Sequence, residues 1–174
     1  MDWLTLPIGS RAPVIVNAVV EVPYGCANKY EYDKALKVFR LDRPLYASVH
    51  YPGEYGFIPG TLSPDGDALD ILILVTHPTF PGCLVEARPV GVLEMLDQGV
   101  SDQKILAVSK TSPVHAEISS HKDLPRHSLR EVEHFFSIYK ELEGKHTEVK
   151  GWRDKRTAHR LIQQGQRRFQ KKKS

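Results

Sequence analysis

The stretch SPDGDALDILIL, residues 63–74, contains three aspartates, Asp65, Asp67 and Asp70, directly before a run of aliphatic residues. On an extended chain Asp65 and Asp67 point to one side and Asp70 to the other. A bend at Gly66 would let the three carboxylates converge, because glycine tolerates backbone conformations that other residues avoid. The stretch alone leaves two interpretations open: a polar turn before a buried strand, or a carboxylate cluster for a hard cation.

A second pair of acids favours the cation site. Asp97 and Asp102 flank the short turn QGVS, residues 98–101, and a hairpin there would bring both carboxylates together. Mg²⁺ is commonly held by one or two carboxylates together with phosphate oxygens. The chain contains no HExxH or CxxC motif for zinc, and an EF-hand is excluded because Thr76 stands where that loop needs glutamate.

Basic and tyrosine side chains on separate elements complete a possible site. Each of Lys29, Arg43, Lys104 and Lys140 could by itself be an ordinary surface charge. Beside a carboxylate cluster, however, cations and tyrosine hydroxyls could hold a polyanion while the carboxylates hold metal ions. This combination is typical of phosphoryl transfer to water.

The composition is that of one globular domain. The chain has 174 residues, of which 41% are hydrophobic and 26% are charged, and this length allows a sizeable core. We expect a single domain over residues 1–174, with an N-terminal extension over about 1–12 and a basic tail over about 169–174. The net charge of +3 comes largely from residues 167–174, which we interpret as a solvated helix end rather than a nucleic-acid or membrane patch.

Several classes of protein do not fit the sequence. No run approaches the ~18 apolar residues of a membrane span, and the N-terminus lacks the basic and apolar regions of a signal peptide. Cys26 and Cys83 are too few for a disulfide framework, so free thiols in a reducing cytoplasm are expected.

The order of elements predicts many strands followed by two helices. Dense Gly and Pro indicate a structured loop over 51–67. Helical spacing predicts a helix within 124–145, with Ser128 as N-cap and Gly144 as its stop, and a second helix near 154–169. This order favours an α+β, mainly β fold, a small barrel with two C-terminal helices packed on it. Strands are predicted over 13–22, 29–33, 35–45, 69–76, 83–97 (bent near Pro89–Gly91) and 103–109.

The chain resembles the soluble inorganic pyrophosphatases of the single-domain, Mg²⁺-dependent, prokaryotic type (family I). The resemblance extends from about Pro13 to Arg168 and centres on DGDALDIL. It is reinforced along the chain, in order, by EVP, KYE, Arg43, YPGEYGFIPGTL, ARPVGVLEMLD, DQK and HFFSIYKELEG. It implies a five-stranded OB-like barrel with flanking helices, hydrolysis of pyrophosphate to two orthophosphates, and a cytoplasmic homohexamer.

The same resemblance implies a role for each site residue. Asp67 matches the general base that acts on the attacking water. About three to four Mg²⁺ ions per active site are implied, with Mn²⁺ or Zn²⁺ as substitutes. The implied metal-holding acids are Asp65, Asp70, Asp102, Asp97, Glu21 and Glu31. The implied pyrophosphate-binding residues are Lys29, Arg43, Tyr55, Lys104, Tyr139 and Lys140.

Other functions stay open at this point. OB-like barrels often bind nucleic acid and the tail is basic, but a groove lined with carboxylates repels a phosphate backbone. A regulatory relative with weak catalysis, or a hydrolase of a related phosphoanhydride, would share the same residues. Phosphate release from pyrophosphate, with and without Mg²⁺ and with a nucleoside triphosphate as control, separates these alternatives.

Overall fold

The computed structural model describes residues 2–173, and its main body is a six-stranded sheet. A two-stranded hairpin and two α-helices accompany the sheet. The elements are β1 (Val16–Val22), β2 (Asn28–Asp33), β3 (Val38–Pro44), β4 (Glu54–Ile58), β5 (Leu69–Leu74), β6 (Leu84–Asp97), β7 (Val100–Ser109), α1 (Arg126–Ile138), β8 (Thr147–Asp154) and α2 (Lys155–Lys173).

Five of the strands form a closed ring. The order is β1-β4-β5-β7-β6, and β6 pairs back onto β1; only the β5–β7 pair is parallel. The long strand β6 closes the ring because its first half pairs with β1, while the register shifts between Pro89 and Gly91. The predicted five-stranded barrel and the predicted bend in β6 are both confirmed.

The aliphatic strand β5 is buried on both faces. Ile71 and Ile73 pack in a cluster that includes Ile162 of α2, whereas Leu72 and Leu74 pack in a second cluster with apolar residues of α1. Burial on both faces explains why the sequence is uniformly apolar here instead of alternating. The two helices therefore fix the strand that begins immediately after the acidic stretch.

Strand β4 lies inside the segment predicted as a loop. All five of its residues are buried, and a Cβ at Gly56 would lie 1.9 Å from the carbonyl oxygen of Val19 on β1. Glycine is therefore required by close packing rather than by a turn, which is why dense Gly and Pro gave the wrong prediction.

Strand β8 was also absent from the prediction. It pairs only with β6, at the edge of the sheet, and most of its residues are exposed or half-buried. Its polar sequence TEVKGWRD carries no apolar alternation strong enough to indicate a strand.

The predicted helix boundaries need correction. Helix α1 begins after Pro125, so Ser128 lies inside it and is not the N-cap. Pro125 fits this position because its ring fixes φ near the helical value. Gly144, with φ +71°, ends a short 3-10 helix (Glu141–Glu143) instead of α1.

Helix α2 continues through most of the expected basic tail, and only Ser174 of that tail lies outside the described residues. Among residues 2–173, no helix is long and apolar enough to cross a membrane. The N-terminal segment packs on the barrel: Asn17 N–H donates to the Ile8 carbonyl at 2.7 Å, and the rings of Trp3 and Phe39 are 5.5 Å apart.

Candidate active site

One cavity of about 1010 Å³ collects the predicted residues from nearly every part of the chain. It is bounded by the barrel strands, the β2–β3 hairpin, the stretch around Asp65 and the end of α1. Arg43 is the one predicted residue outside its lining. The predicted residues that line it are Glu21, Lys29, Glu31, Tyr55, Asp65, Asp67, Asp70, Asp97, Asp102, Lys104, Tyr139 and Lys140.

The acidic turn, residues 63–67, is a hydrogen-bonded loop that carries two of the acids. Gly66 has φ +92°, which confirms the predicted bend, and its N–H donates to the Ser63 carbonyl at 3.1 Å. The Asp67 N–H donates to the Asp65 carboxylate at 3.0 Å. The Asp67 side chain is 69% exposed and pairs with Lys34 at the tip of the hairpin. The polar turn is confirmed, and it presents the carboxylates of Asp65 and Asp67 to the cavity; binding of a hard cation there stays a prediction.

Lys104 on β7 is the buried cation of the site. Its side chain is 5% exposed and pairs with Asp70 and with Asp102, the latter at 2.7 Å, and its ammonium donates to the Tyr55 hydroxyl at 3.2 Å. Burial by itself lowers the pKa of Lys104, but the charges of Asp70 and Asp102 outweigh burial and raise it above its ordinary value. The ammonium therefore stays charged between two carboxylates.

Three of the tyrosines that line the cavity, Tyr51, Tyr55 and Tyr139, are protonated phenols. Burial raises the pKa of Tyr55 well above its ordinary value, and the charges of Asp70 and Asp102 raise it further. Burial likewise raises the pKa of Tyr139, against the opposing charge of Lys104, and the pKa of Tyr51. All three hydroxyls are therefore available to donate hydrogen bonds at neutral pH.

Lys140 and Asp97 form a second pair at the junction after α1. The Lys140 ammonium donates to Asp97 Oδ2, whereas Asp97 Oδ1 is buried and has no hydrogen-bond partner among residues 2–173. A buried carboxylate oxygen without a partner is costly, so this oxygen is suited to a cation supplied from outside the chain.

The hairpin contributes its own charges. Lys29 on β2 pairs with Glu31 and lies 3.4 Å from Asp42, and its cross-strand neighbour is Arg43. The Arg43 guanidinium donates through Nε to Glu143 at 2.7 Å and also pairs with Asp42. Its remaining nitrogen, NH2, is buried without a partner in the described chain, which suits a further anion.

Glu21 on β1 connects the barrel to the hairpin. Its carboxylate accepts the Tyr32 N–H at 2.8 Å. Burial raises the pKa of Glu21 to about 7; the Tyr32 hydrogen bond opposes that rise, and the charges of Asp70 and Glu31 add to it. A cation beside these acids would relieve their mutual repulsion.

The acids fit hard divalent cations. Among residues 2–173, no three His, Cys, Asp or Glu side chains are close enough together to form a ready-made metal site; instead Lys104 lies between Asp70 and Asp102. All the candidate donors are carboxylate oxygens, the ligands that Mg²⁺ prefers. Together with the unpartnered Asp97 oxygen, this donor set suits a hard cation such as Mg²⁺.

Comparison with known proteins agrees with this geometry. The family model described as inorganic pyrophosphatase matches residues 18–170. An inorganic pyrophosphatase of Halalkalibacterium halodurans is 49% identical over 150 residues, which is 86% of this chain and 92% of the relative. The chain belongs to the inorganic pyrophosphatase family. This membership confirms the predicted family and its class of activity, the hydrolysis of pyrophosphate.

Solved structures confirm the fold of this pyrophosphatase family member. The crystal structure of inorganic pyrophosphatase from Thermus thermophilus superimposes with a TM-score of 0.95 at 42% identity, covering 98% of this chain and 99% of that one. An inorganic pyrophosphatase structure from Helicobacter pylori has a TM-score of 0.90 at 36% identity, covering 95% and 98%. The family is metal-dependent and generally uses Mg²⁺.

Four residues at or beside the site escaped the sequence reasoning. Tyr51 could have been found, since it belongs to the same motif as Tyr55. Lys34 pairs with Asp67 and Glu143 pairs with Arg43. These partners are distant in sequence, so no pattern of neighbouring residues indicates either pair. Arg168 lies in the run interpreted as solvated; that interpretation is wrong for this residue, which lines the cavity and donates to the Leu62 carbonyl at 3.1 Å.

Proposed function

We propose that this cavity hydrolyses inorganic pyrophosphate to two orthophosphates by in-line attack of water, with the residue roles given below. One observation carries the proposal: the seven predicted carboxylates, together with cations and phenols suited to a polyanion, line a single cavity. Membership of the inorganic pyrophosphatase family supports the same reaction.

The carboxylates are assigned to the metal ions. Asp65, Asp70 and Asp102 would bind Mg²⁺ directly, and Asp97 would hold an additional ion with its unpartnered oxygen. Bound Mg²⁺ supplies two kinds of chemistry: it makes water more acidic, and it neutralises charge on phosphate oxygens. We propose about three to four ions per site, with Glu21 and Glu31 supporting one of them through water and with Mn²⁺ or Zn²⁺ as substitutes.

Asp67 is assigned as the general base. Its exposed carboxylate lies at the cavity, where it can accept a proton from the attacking water. The new P–O bond forms as the bond to the bridging oxygen breaks, and the departing phosphate retains that electron pair. The Lys34 ion pair keeps the Asp67 side chain at the mouth of the cavity.

The cations and phenols are assigned to the substrate. The ammonium groups of Lys29, Lys104 and Lys140, which line the cavity, would contact phosphate oxygens. Arg43 lies outside that lining as the cross-strand neighbour of Lys29, and its unpartnered nitrogen would contact one more phosphate oxygen. The protonated hydroxyls of Tyr55 and Tyr139 would donate hydrogen bonds without adding negative charge. Such positioning and charge neutralisation supply most of the catalysis in phosphoryl transfer.

We propose a single domain, a homohexamer and a cytoplasmic location, with no nucleic-acid or membrane partner. Exposed apolar side chains such as Phe80 (64%) and Val114 (70%) are compatible with subunit contacts. Sedimentation velocity would measure the assembly, and a monomer at micromolar concentration would contradict it.

The reaction is tested by phosphate release. Purified protein should release phosphate from pyrophosphate only when Mg²⁺ is present, and a nucleoside triphosphate should release far less. Equal rates on both substrates would indicate a broader phosphoanhydride hydrolase. Absence of release from pyrophosphate with Mg²⁺ would contradict the proposed function.

A further inference from the structure

The acidic turn is part of a loop that is closed at its base by one threonine. The buried Thr61 hydroxyl accepts the N–H of Leu69 at 3.0 Å and donates to the carbonyl of Ile58 at 2.6 Å. The hydrogen bond between Thr61 and Leu69 therefore closes a loop, and Asp65 and Asp67 lie between its ends. The position of those carboxylates depends on what supports the two ends.

Helix α2 supports the first end through the backbone of Leu62. The Leu62 N–H donates to the Gly165 carbonyl at 3.0 Å, and Arg168 NH1 donates to the Leu62 carbonyl at 3.1 Å. Both polar backbone groups of Leu62 are thus bonded to α2, about a hundred residues later in the chain. Such long-range bonds fix a loop more firmly than contacts within the loop itself, because they tie it to an ordered helix.

The same turn of α2 also contacts the second end. A Cβ at Gly165 would lie 2.8 Å from Leu69 Cδ1 and 3.2 Å from Thr61 Cβ. A side chain at position 165 would crowd Leu69 and Thr61, so glycine suits this close approach of the helix. Gly165 and Arg168 lie one turn apart on the face that meets the loop.

Arg168 differs from its neighbours in the basic run. It is half-buried and lines the cavity together with Asp65 and Asp67, whereas Arg167 is exposed. The Arg168 guanidinium therefore adds positive charge beside the acidic turn as well as a hydrogen bond to its base.

We infer that Arg168 is a positioning residue, which with Gly165 holds the Asp65–Asp67 turn in the geometry that binds Mg²⁺ and presents Asp67 to water. The effect on turnover rests on the proposed function, whereas the effect on Mg²⁺ affinity does not require catalysis. In this role Arg168 acts through the carbonyl of Leu62, to which it donates a hydrogen bond.

The experiment compares three variants of the full chain: Arg168→Ala, Arg168→Lys, and Arg167→Ala as the matched control. Mg²⁺ binding is measured by isothermal titration calorimetry without pyrophosphate, and kcat and KM are measured at saturating Mg²⁺. Changes in groups that orient metal ligands typically cost 10–100-fold, so Arg168→Ala should weaken Mg²⁺ binding and lower kcat by about 10-fold each. KM should change little, because the proposed substrate cations are untouched.

The other variants make the inference falsifiable. Arg168→Lys should recover part of the loss, because an ammonium can still donate to the Leu62 carbonyl, and Arg167→Ala should match the wild type. Wild-type Mg²⁺ affinity in a folded Arg168→Ala protein would overturn the inference, and so would equal losses in Arg167→Ala.

If Arg168→Ala lowers the melting temperature strongly, Arg168→Gln, which keeps an N–H donor, replaces it under the same criteria. A wild type that binds Mg²⁺ without hydrolysing pyrophosphate contradicts the proposed function, and the calorimetric comparison then decides the inference alone.

Discussion

The barrel half and the turn half of the site carry similar charges in very different surroundings. On the barrel, the Lys104 side chain is 5% exposed and pairs with Asp70 and Asp102. On the acidic turn, Asp67 is 69% exposed and its partner Lys34 is 54% exposed. An exposed ion pair contributes about 0–1 kcal/mol, whereas loss of one partner from a buried pair costs about 3–5 kcal/mol. We therefore expect the barrel residues to support folding as well as the proposed function, and the turn residues to contribute to the proposed chemistry with little effect on folding.

The largest expected effect of the difference between the two halves is at Lys104, in the barrel half. Lys104→Met should leave Asp70 and Asp102 without a buried counter-charge, so it should lower the free energy of unfolding by about 3 kcal/mol. It should also reduce kcat/KM by more than about 100-fold through loss of a proposed substrate contact. Urea unfolding and a phosphate-release assay measure the two effects.

The control is the same substitution in the turn half. Lys34→Met should change the free energy of unfolding by less than about 1 kcal/mol. Equal destabilisation by the two variants would contradict the expectation that the barrel half supports folding and the turn half does not.

Asp67→Asn should separate chemistry from stability. Removing a general base typically costs about 10²–10⁴-fold in rate, so kcat should fall by that order, while the exposed pair with Lys34 contributes little to folding. Stopped-flow or steady-state phosphate release gives kcat, and thermal unfolding gives the stability. Full activity with an unchanged melting temperature would mean that Asp67 is not the base.

The acids of the site could be predicted from the sequence, whereas the residues that support them could not. The acids of the turn are close in sequence, and Asp97 and Asp102 flank one hairpin, so their proximity followed from local geometry. The supports of the site were unpredictable because their partners are distant: Arg43 bonds to Glu143, and Arg168 bonds to Leu62.

The fold shows the same limit. Strands with a uniformly apolar or alternating sequence could be predicted, and they indicated the barrel. Strand β4 was missed because its Gly56 allows close contact with β1, a contact that no local sequence pattern reveals. Edge strand β8 was missed because its exposure removes the apolar signal.

Mg²⁺ should stabilise the protein by joining acids of the two halves. A ligand present at about 100 times its Kd adds about 2.7 kcal/mol to the free energy of unfolding, which for a chain of this size corresponds to roughly 5–10 °C. Differential scanning fluorimetry of chelator-treated protein, with and without added Mg²⁺, measures the shift. KCl at matched ionic strength is the control, and a melting temperature that Mg²⁺ leaves unchanged would count against a metal site spanning the two halves.

The smallest expected effect is at Glu21, where barrel and hairpin meet. Burial raises the pKa of this carboxyl from 4.5 to about 7, so in metal-free protein the folded state binds a proton more tightly than the unfolded state does. The ionised carboxylate therefore costs stability fully above about pH 7, and this cost shrinks as the pH falls toward 4.5. Glu21→Gln removes the charge but keeps an oxygen that can accept the Tyr32 N–H.

In chelator-treated protein, Glu21→Gln should therefore melt a few degrees above the wild type at pH 8, about 1 kcal/mol after allowance for partial solvent access. The difference should vanish near pH 4. A difference that does not depend on pH would mean that the Glu21 carboxylate is not strained by burial. Added Mg²⁺ should reverse the order at pH 8, because the cation then compensates the charge that only the wild type carries.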